Sequence, residues 1–330
     1  MKIGFCIEWN KGSLDLSKPG NVIGEELMVQ GFAKYMEQEA GVTSVEMFAP
    51  NYQPTEKLDV MIYMNNTKPN HSWAHKHVLY FQNAYPDEGG DKALQRYYTY
   101  GYDGYMIYSH KLLDLHRQSG RDGIFMPYGV DFDIYKPVPY DSNYAFDCAY
   151  VGNNIKGRKR TSLYIYPAKD FHFGLYGNWV FRPLSTSRRI RQALGLRDFP
   201  FGSSSMKELD SISQGKMAPQ DAPKLYCSSK IILNCTLQDT ADWDVTTLRI
   251  FEVMACKGFL ISDRTPRGEV LMKDCMVFTD GGQDLKDKIR YYISHPEERQ
   301  RIAENGYNYV RKYGSVQLRA QEMLSYIKTI

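Results

Sequence analysis

Hydrophobic and polar positions alternate along the chain in blocks that predict strands and helices in turn. The first block, KIGFCIEW, is an apolar run typical of a strand. It is followed by NVIGEELMVQGFAKYMEQEAG, where Ile23, Leu27, Phe32 and Met36 recur at near-helical spacing. Strand-like runs then return at VTSVEMFA, LDVMIYMN, HVLYFQN, YDGYMIYS and DGIFMPYG. This rhythm predicts an α/β domain with a parallel sheet.

The same rhythm restarts in the second half of the chain. Strands are predicted at FDCAYVGNN, FHFGLYGN, SSKIILNC, GFLISD and CMVFTD, with helices such as APKLYCS between them. The end of the chain, from DLKDKIRYYI to SVQLRAQEMLSYIKTI, is predicted to be helical with charged faces. Prolines and aspartates interrupt the apolar pattern in GVDFDIYKPVPYDSNYAFD. We therefore predict two Rossmann-like domains, residues 1–140 and 141–330.

Composition narrows the class of protein. A chain of 330 residues has the length of two ordinary domains, and a net charge of +3 gives no case for general nucleic-acid binding. The six cysteines are scattered without metal-ligand spacing, which favours a reduced, cytoplasmic chain. No apolar run approaches the roughly 20 residues of a spanning helix. Any membrane contact is therefore expected to be peripheral.

The segment DVTTLRIFEVMACKG, residues 244–258, predicts a short amphipathic helix. Thr246 or Thr247 is the expected N-cap, Gly258 the expected C-terminal stop, and Arg249 and Glu252 share the face away from the core stripe Leu248, Phe251 and Met254 or Ala255. The plain interpretation is an exposed ion pair worth about 0.2–0.5 kcal/mol. Asp244 would then be an ordinary acid before the helix, interacting with its dipole.

A second interpretation gives these residues a ligand. Helix N-termini at the carboxyl ends of parallel strands bind phosphates, and an acid on the same helix can accept hydrogen bonds from ribose hydroxyls. Glu252 would then hold a ribose, while Arg249 and the helix start at Thr246 or Thr247 face the diphosphate.

The same segment carries a family resemblance. TTLRIFEVMACKGFLISD resembles the donor-site segment of the glycosyl transferases group 1 superfamily, particularly its spore-maturation-type branch. A similar family pattern continues in HPEER with Ala303 and Gly306. MPYGVDFDIYKP and YVGNN are similar to the passages that end the first domain and open the second. The resemblance covers about residues 126–330, whereas residues 1–125 match only in their strand and helix rhythm.

This resemblance implies the GT-B fold, with two facing Rossmann-like domains and a nucleotide-sugar held mainly by the second. It also implies that the last helix packs on the first domain. Retaining members of the superfamily carry a Glu-x7-Glu motif whose second acid binds the donor ribose. Here Glu252 occupies the second position and Asp244 the first, so the pair reads Asp-x7-Glu.

Basic residues after a strand are candidates for the donor diphosphate. VGNNIKGRKRTS joins Gly152 and Asn153 to a run of cations, Lys156, Arg158, Lys159 and Arg160. A leaving diphosphate gains negative charge, which fixed cations and backbone donors stabilise. We choose Lys156 and Arg158, the latter nearest the basic position of similar proteins. The alternatives are a solvated basic loop and a nucleic-acid patch.

The first domain supplies candidates for the acceptor side. Glu8 ends the first predicted strand and Gly12 follows it, while YFQNAYPDE places Asp87 after another strand. A base that deprotonates the acceptor hydroxyl must be a carboxylate or histidine within hydrogen-bond reach, and Glu8 or Asp87 fits. Alternatively, each is a loop residue with a local capping role.

Two further motifs have plain alternatives. DWD at 242–244 and DFD at 131–133 imitate an Asp-x-Asp metal motif, but three-residue matches arise by chance, and we predict no required metal or other cofactor. The basic run RPLSTSRRIRQALGLR could dock on anionic lipid or on a phosphate-rich acceptor. The more ordinary interpretation is the solvated face of a helix.

We therefore predict a glycosyltransferase that moves a sugar from a nucleotide-diphosphate sugar, such as a UDP-sugar, to a hydroxyl acceptor. A glycan, a lipid-linked glycan or a modified DNA base fits the acceptor. A non-catalytic nucleotide or glycan binding module of the same fold is the alternative. A nicotinamide-dependent oxidoreductase is disfavoured, because WNKGSLDLSKPG after the first strand contains no GxGxxG.

Overall fold

The computed structural model describes residues 1–18, 24–64, 67–82, 90–196 and 204–330. These residues form two parallel sheets, one of six strands and one of five, with helices packed around them. Across the described ranges, no helix combines the length and apolar character needed to cross a bilayer. The six cysteines are free thiols.

The first sheet has the strand order β2-β1-β3-β4-β5-β6. Its strands are β1 Lys2–Cys6, β2 Ser44–Phe48, β3 Leu58–Met64, β4 Ala74–Phe81, β5 Gly104–Ile107 and β6 Ile124–Phe125. The helices between them are α1 Gly24–Met36, α2 Gly90–Tyr98 and α3 His110–Gln118. The central strands β3 and β4 are buried along nearly their whole length, as in a parallel sheet covered on both faces. The predicted parallel α/β sheet is therefore confirmed.

The second sheet has the order β11-β10-β9-β7-β8. Its strands are β7 Cys148–Val151, β8 Phe173–Tyr176, β9 Ile232–Asn234, β10 Leu260–Asp263 and β11 Val277–Thr279. Its helices are α4 Arg158–Tyr164, α5 Thr186–Ala193, α6 Ser204–Ile212, α7 Ala222–Ser228, α8 Gln238–Asp242, α9 Leu248–Ala255, α10 Pro266–Met272, α11 Gly282–Ile293 and α12 Pro296–Tyr313. Each of the five strands predicted for the second half is present.

The chain ends against the first sheet. The last helix, α13 Val316–Ile327, buries Val316, Ala320 and Met323 in the same apolar cluster as Phe5 and Phe32. The crossing point is fixed by backbone hydrogen bonds from Val130 to the Gly314 carbonyl and from Val316 to the Val130 carbonyl. The domain boundary at residue 140 falls between the last strand of the first sheet and β7, and it stays a prediction.

The second sheet also meets the first domain beside α8. Ser109, the N-cap of α3, donates its hydroxyl to the Trp243 carbonyl over 2.7 Å, and Lys111 donates to the Asp242 carbonyl over 3.0 Å. Val245 is buried in the cluster that contains Phe81. These contacts hold the loop before α9 against the first domain.

Helix α9 ends one residue earlier than the sequence predicted. Lys257, not Gly258, adopts the left-handed conformation, with φ of 56°. Its N–H donates to the Met254 carbonyl and that of Gly258 to the Val253 carbonyl, which is the Schellman pattern. Position 258 is a glycine for a different reason: a Cβ there would lie 2.9 Å from the Tyr226 carbonyl oxygen. The close approach packs α9 against α7.

Candidate functional site

Two adjoining cavities lie in a cleft between the domains. They have volumes of about 160 and 240 Å³, and Gly24, Leu248 and Arg249 border both. The other residues of the first cavity are Leu14, Leu27, Tyr135, Val151, Gly152, Asn153, Gly177, Lys216, Met217, Ala218, Pro219, Ala222, Tyr226 and Glu252. The second adds Glu25, Met28, Gln82, Tyr128, Lys156, Leu237, Thr240 and Thr247.

Glu252 projects from α9 into the first cavity. The Tyr226 hydroxyl donates to its Oε2 over 3.3 Å, and Tyr135 also hydrogen-bonds the carboxyl group. Burial raises the pKa of Glu252 above its usual value, and the charge of Arg249 and the two tyrosine hydrogen bonds oppose that shift. A carboxylate has about four acceptor positions. The tyrosines therefore fix its orientation and leave acceptor capacity for a ligand with hydroxyl donors.

Arg249 lies where the two cavities meet. Its guanidinium carbon is 5.0 Å from the centre of the Tyr150 ring, and Nη1 donates to Asn234 Oδ1 over 3.4 Å. Its Nε is buried and has no hydrogen-bond partner within the described ranges. A buried cation with an unused donor is costly, which makes this position suited to an anion. At Gly152, a Cβ would come within 2.9 Å of the guanidinium, so the absent side chain leaves the space open.

Lys156 adds a second cation, from the loop between β7 and α4. Its side chain lines the second cavity. Burial lowers the pKa of Lys156 to about 8, and the positive charge of Arg249 acts in the same direction. An anion bound between the two cations would reverse that shift, because it stabilises the protonated ammonium. The site is thus electrostatically prepared for a diphosphate-sized anion.

A buried polar network supports the strand ends behind these cations. Arg160 forms an ion pair with Asp263 at the end of β10 and donates to the Thr236 carbonyl over 2.6 Å. Asp263 also accepts from the Thr236 N–H and hydroxyl, each over 3.0 Å. Thr247, the N-cap of α9, donates to Asn234 Oδ1 over 3.1 Å. The interpretation of the whole basic run as a solvated loop is therefore wrong for Arg160, because α4 turns this side chain inward.

The second cavity contains an unused donor of its own. Gln82, which follows β4, is 1% exposed, and its Nε2 has no hydrogen-bond partner among the residues that the structure describes. The Tyr128 hydroxyl donates to the Gln82 carbonyl over 2.8 Å and fixes that backbone. Asp239 interacts electrostatically with Tyr128, and burial raises the pKa of the Asp239 carboxyl group. This end of the cleft therefore suits a polar, uncharged ligand group.

The structure brings together six of the predicted site residues. Their side chains or backbones line the cavities: Gly152, Asn153, Lys156, Thr247, Arg249 and Glu252. Arg158 begins α4 and is exposed, and Thr246 precedes the N-cap. Neither borders either of these two cavities, and nor do Glu8, Gly12 and Asp244. Asp87 lies outside the described residues.

Asp244 is bound to the backbone of a neighbouring helix. Its two carboxylate oxygens accept from the N–H of Arg267 over 2.9 and 3.1 Å, in the first turn of α10. Its own backbone is left-handed, with φ of 60°, a conformation that a short acid tolerates better than most residues. In this structure the carboxylate ties the loop before α9 to α10.

Gly12 lies in the loop that contains Leu14, a residue of the first cavity. Its N–H donates to both oxygens of the buried Glu26 over 3.0 Å, and the Ser13 N–H donates to Oε1 over 2.6 Å. Lys216 of the second domain donates to the Lys18 carbonyl over 2.6 Å. The loop that carries Leu14 into the cavity is therefore held from both domains.

Sequence reasoning missed several lining residues. Tyr226 lies in the predicted helix APKLYCS. The chain has 26 tyrosines, and no spacing pattern distinguishes Tyr226 or Tyr135 from the others. Met217 likewise belongs to no motif, whereas Gln82 ends the predicted strand in YFQNAYPDE, a position that gave it no specific role. Only the fold brings these side chains to Glu252 and Arg249, from four separate parts of the chain.

The two Asp-x-Asp sequences have local partners. Asp133 forms an ion pair with Lys34, Asp131 accepts from the Asp133 N–H over 2.9 Å, and Asp242 accepts from Gln238 Nε2 over 2.8 Å. Within the described part of the chain, no group of three or more His, Cys, Asp and Glu side chains is arranged to hold a metal ion.

Comparisons with known proteins agree with this architecture. The sequence model of the family described as glycosyl transferase-like matches residues 160–325, and no curated protein sequence matches the chain. Sucrose-phosphate synthase from Thermosynechococcus elongatus is similar in structure, with a TM-score of 0.67, 12% identity, and 100% and 99% of the two chains covered. HepE of Anabaena in complex with UDP-glucose is also similar, with a TM-score of 0.67, 15% identity and both chains fully covered. T4 phage BGT in complex with UDP-glucose has a TM-score of 0.59 and 13% identity, with 99% of each chain covered.

These neighbours establish the fold, and the family match spans half of the chain. The spore-maturation-type branch within the superfamily stays a prediction. From the family match and the two parallel sheets that face one cleft, the chain belongs to the glycosyl transferase-like family and is a glycosyltransferase of the GT-B fold.

Proposed function

We propose that the protein transfers a sugar from a nucleotide-diphosphate sugar to a hydroxyl acceptor, and that Glu252 binds the donor ribose. The observation that carries this proposal is the Glu252 carboxylate, fixed by Tyr226 and oriented into a cavity that it shares with Arg249. Two vicinal ribose hydroxyls can donate to one carboxylate, as they do in dinucleotide-binding folds. UDP and UDP-glucose complexes are found among the structural neighbours.

The nucleobase would occupy the apolar end of the first cavity. Leu14 and Leu27 of the first domain and Met217 and Pro219 of the second are apolar residues that line this cavity. A flat, weakly polar base suits such walls, since binding pockets are mostly apolar with few orienting polar groups. Both domains would thus contact the base, and donor binding would favour the closed cleft.

The diphosphate would lie between Arg249 and Lys156, beside the backbone of Gly152. Cleavage of the sugar–phosphate bond leaves negative charge on the diphosphate, and two fixed cations in a half-buried site stabilise it. This arrangement supplies the charge that a divalent cation would otherwise bring. We therefore propose that transfer requires no metal bound by the protein.

The sugar and the acceptor hydroxyl would meet in the second cavity. Among the described residues that line it, Glu25 is the one carboxylate, so it joins Asp87 as a candidate for the base that accepts the acceptor proton. The face of the sugar that this group reaches decides the direction of attack. It therefore also decides whether the configuration at the anomeric carbon is retained or inverted.

The unused Nε2 of Gln82 predicts a role in holding the sugar. Gln82→Met keeps the side-chain volume but removes the hydrogen-bond donor. We expect kcat/KM for the nucleotide-sugar to fall about three- to tenfold, which corresponds to the loss of one neutral hydrogen bond. The Kd of UDP alone should not change, because UDP has no sugar in this cavity. Equal losses for UDP and UDP-sugar would contradict the assignment.

A thermal-shift panel tests the function itself. Nucleoside diphosphates and their sugars are added in buffer containing EDTA, and a ligand at about 100 times its Kd should add roughly 2.7 kcal/mol to the free energy of unfolding. A nucleotide-sugar that stabilises the protein is then offered with candidate acceptors. Stabilisation without transfer or hydrolysis would support the non-catalytic binding module, and no stabilisation by any nucleotide would oppose the donor site.

A further inference from the structure

Helix α5 of the second domain presents its apolar face to solvent. Ile190 is 56% exposed, and Leu194 and Leu196, just after the helix, are 67% and 72% exposed. Ile190 and Leu194 are four residues apart and share one face. Gln192, about 200° around the helix from Ile190, is the one residue of α5 that is not exposed. The helix therefore rests on the protein by its polar side, the reverse of an ordinary surface helix.

Arginines border this apolar face. Arg189 and Arg191 flank Ile190, about 100° to either side of it, and both are exposed. The sequence from residue 171 to residue 197 contains five arginines and neither aspartate nor glutamate. An apolar strip between two arginines is the side-chain pattern of helices that lie in a membrane interface.

The segment that precedes the helix is anchored to the second domain. Before it, Trp179 is buried against Tyr150, with ring centres 6.0 Å apart, and Leu184 is also buried. The N–H of Phe181 donates to Asp210 Oδ2 over 3.1 Å. The segment leaves the sheet at Gly177, which lines the first cavity. The exposed face therefore follows a segment that is anchored to the second domain and begins at the first cavity, the proposed donor site.

We propose that α5 docks on an anionic membrane surface. Ile190, Leu194 and Leu196 would enter the boundary between headgroups and acyl chains, while Arg189 and Arg191 extend to lipid phosphates. Nucleic acid would satisfy the arginines but offers no apolar phase for three large aliphatic side chains. A helix of two turns binds weakly and reversibly, so its effect is to orient the cleft toward acceptors at the membrane surface. This proposal does not depend on the identity of the donor.

Vesicle binding of the full chain tests it. With vesicles of equal parts phosphatidylcholine and phosphatidylglycerol, we expect co-sedimentation that weakens with salt and is lost on phosphatidylcholine alone. Ile190→Ser with Leu194→Ser, and separately Arg189→Glu with Arg191→Glu, should each weaken binding at least about tenfold. Lys57→Glu with Lys92→Glu, two exposed positions on the first domain, makes the same change in net charge and should retain binding.

Thermal unfolding of each variant checks that it is folded, and because the substituted side chains are exposed, we expect unchanged midpoints. The proposal is overturned if the serine variant binds vesicles as well as the wild type does. It is also overturned if duplex DNA competes fully for the vesicle-binding face while the serine substitutions leave DNA binding intact, since that pattern identifies a nucleic-acid patch.

Discussion

Glu252→Ala is expected to lower kcat/KM for the donor by about two to four powers of ten. The carboxylate would accept two hydrogen bonds from the ribose, and hydrogen bonds to a charged group contribute about 1.5–3 kcal/mol each. The substitution removes both, and the Tyr226 and Tyr135 hydroxyls lose their shared acceptor. Steady-state kinetics with the donor identified by the thermal-shift panel measure the loss, and UDP binding should weaken in parallel because the ribose belongs to the nucleotide.

Two further variants distinguish a ribose contact from a structural role. Glu252→Gln keeps one acceptor oxygen and should retain more activity than the alanine variant. Glu297→Ala removes an exposed carboxylate of α12, outside both cavities, and should leave the kinetics unchanged. A folded Glu252→Ala protein with wild-type kcat/KM would falsify the assignment of the ribose to this residue.

The part of this site that sequence reasoning could reach is local. Glu252, Arg249 and Thr247 lie within six consecutive residues, so helical periodicity alone places them on one element near a strand end. Gly152 and Lys156 follow a strand by a few residues, and their position at the carboxyl edge follows from the parallel order of the sheet. Each of these residues lines a cavity.

The rest depends on contacts between distant parts of the chain. Tyr135 and Tyr226 reach Glu252 from the connection between the sheets and from α7, and no spacing rule joins those positions. The Asp-x7-Glu spacing suggested a working pair, yet Asp244 has a left-handed backbone and bonds to the start of α10. Arg158 and Lys156 are two residues apart, but the turn into α4 leaves one exposed and brings the other into the cleft.

Lys156→Met is expected to lower kcat about 10²- to 10³-fold, with a smaller effect on UDP binding. The Lys156 ammonium would stabilise the negative charge that develops on the diphosphate as the sugar leaves. Removing one such preorganised group typically lowers kcat by about this factor. Lys156→Arg keeps the charge and should restore much of the activity. A methionine variant as active as the wild type would show that Arg249 and the backbone suffice.

The pH dependence separates the charge of Lys156 from its bulk. Because its pKa in the free protein is lowered to about 8, donor kcat/KM should fall as pH rises above that value, while Lys156→Arg should show no such decline. The titration of Lys156 cannot cause the same decline by unfolding the protein. Between about pH 8 and its ordinary value of 10.5, the unfolded chain binds more protons at Lys156 than the folded one, so this residue makes the protein more stable as pH rises. A pH profile of kcat/KM for both proteins, recorded beside their unfolding midpoints, measures the two opposite trends, and an identical alkaline decline in the arginine variant would assign it to another group.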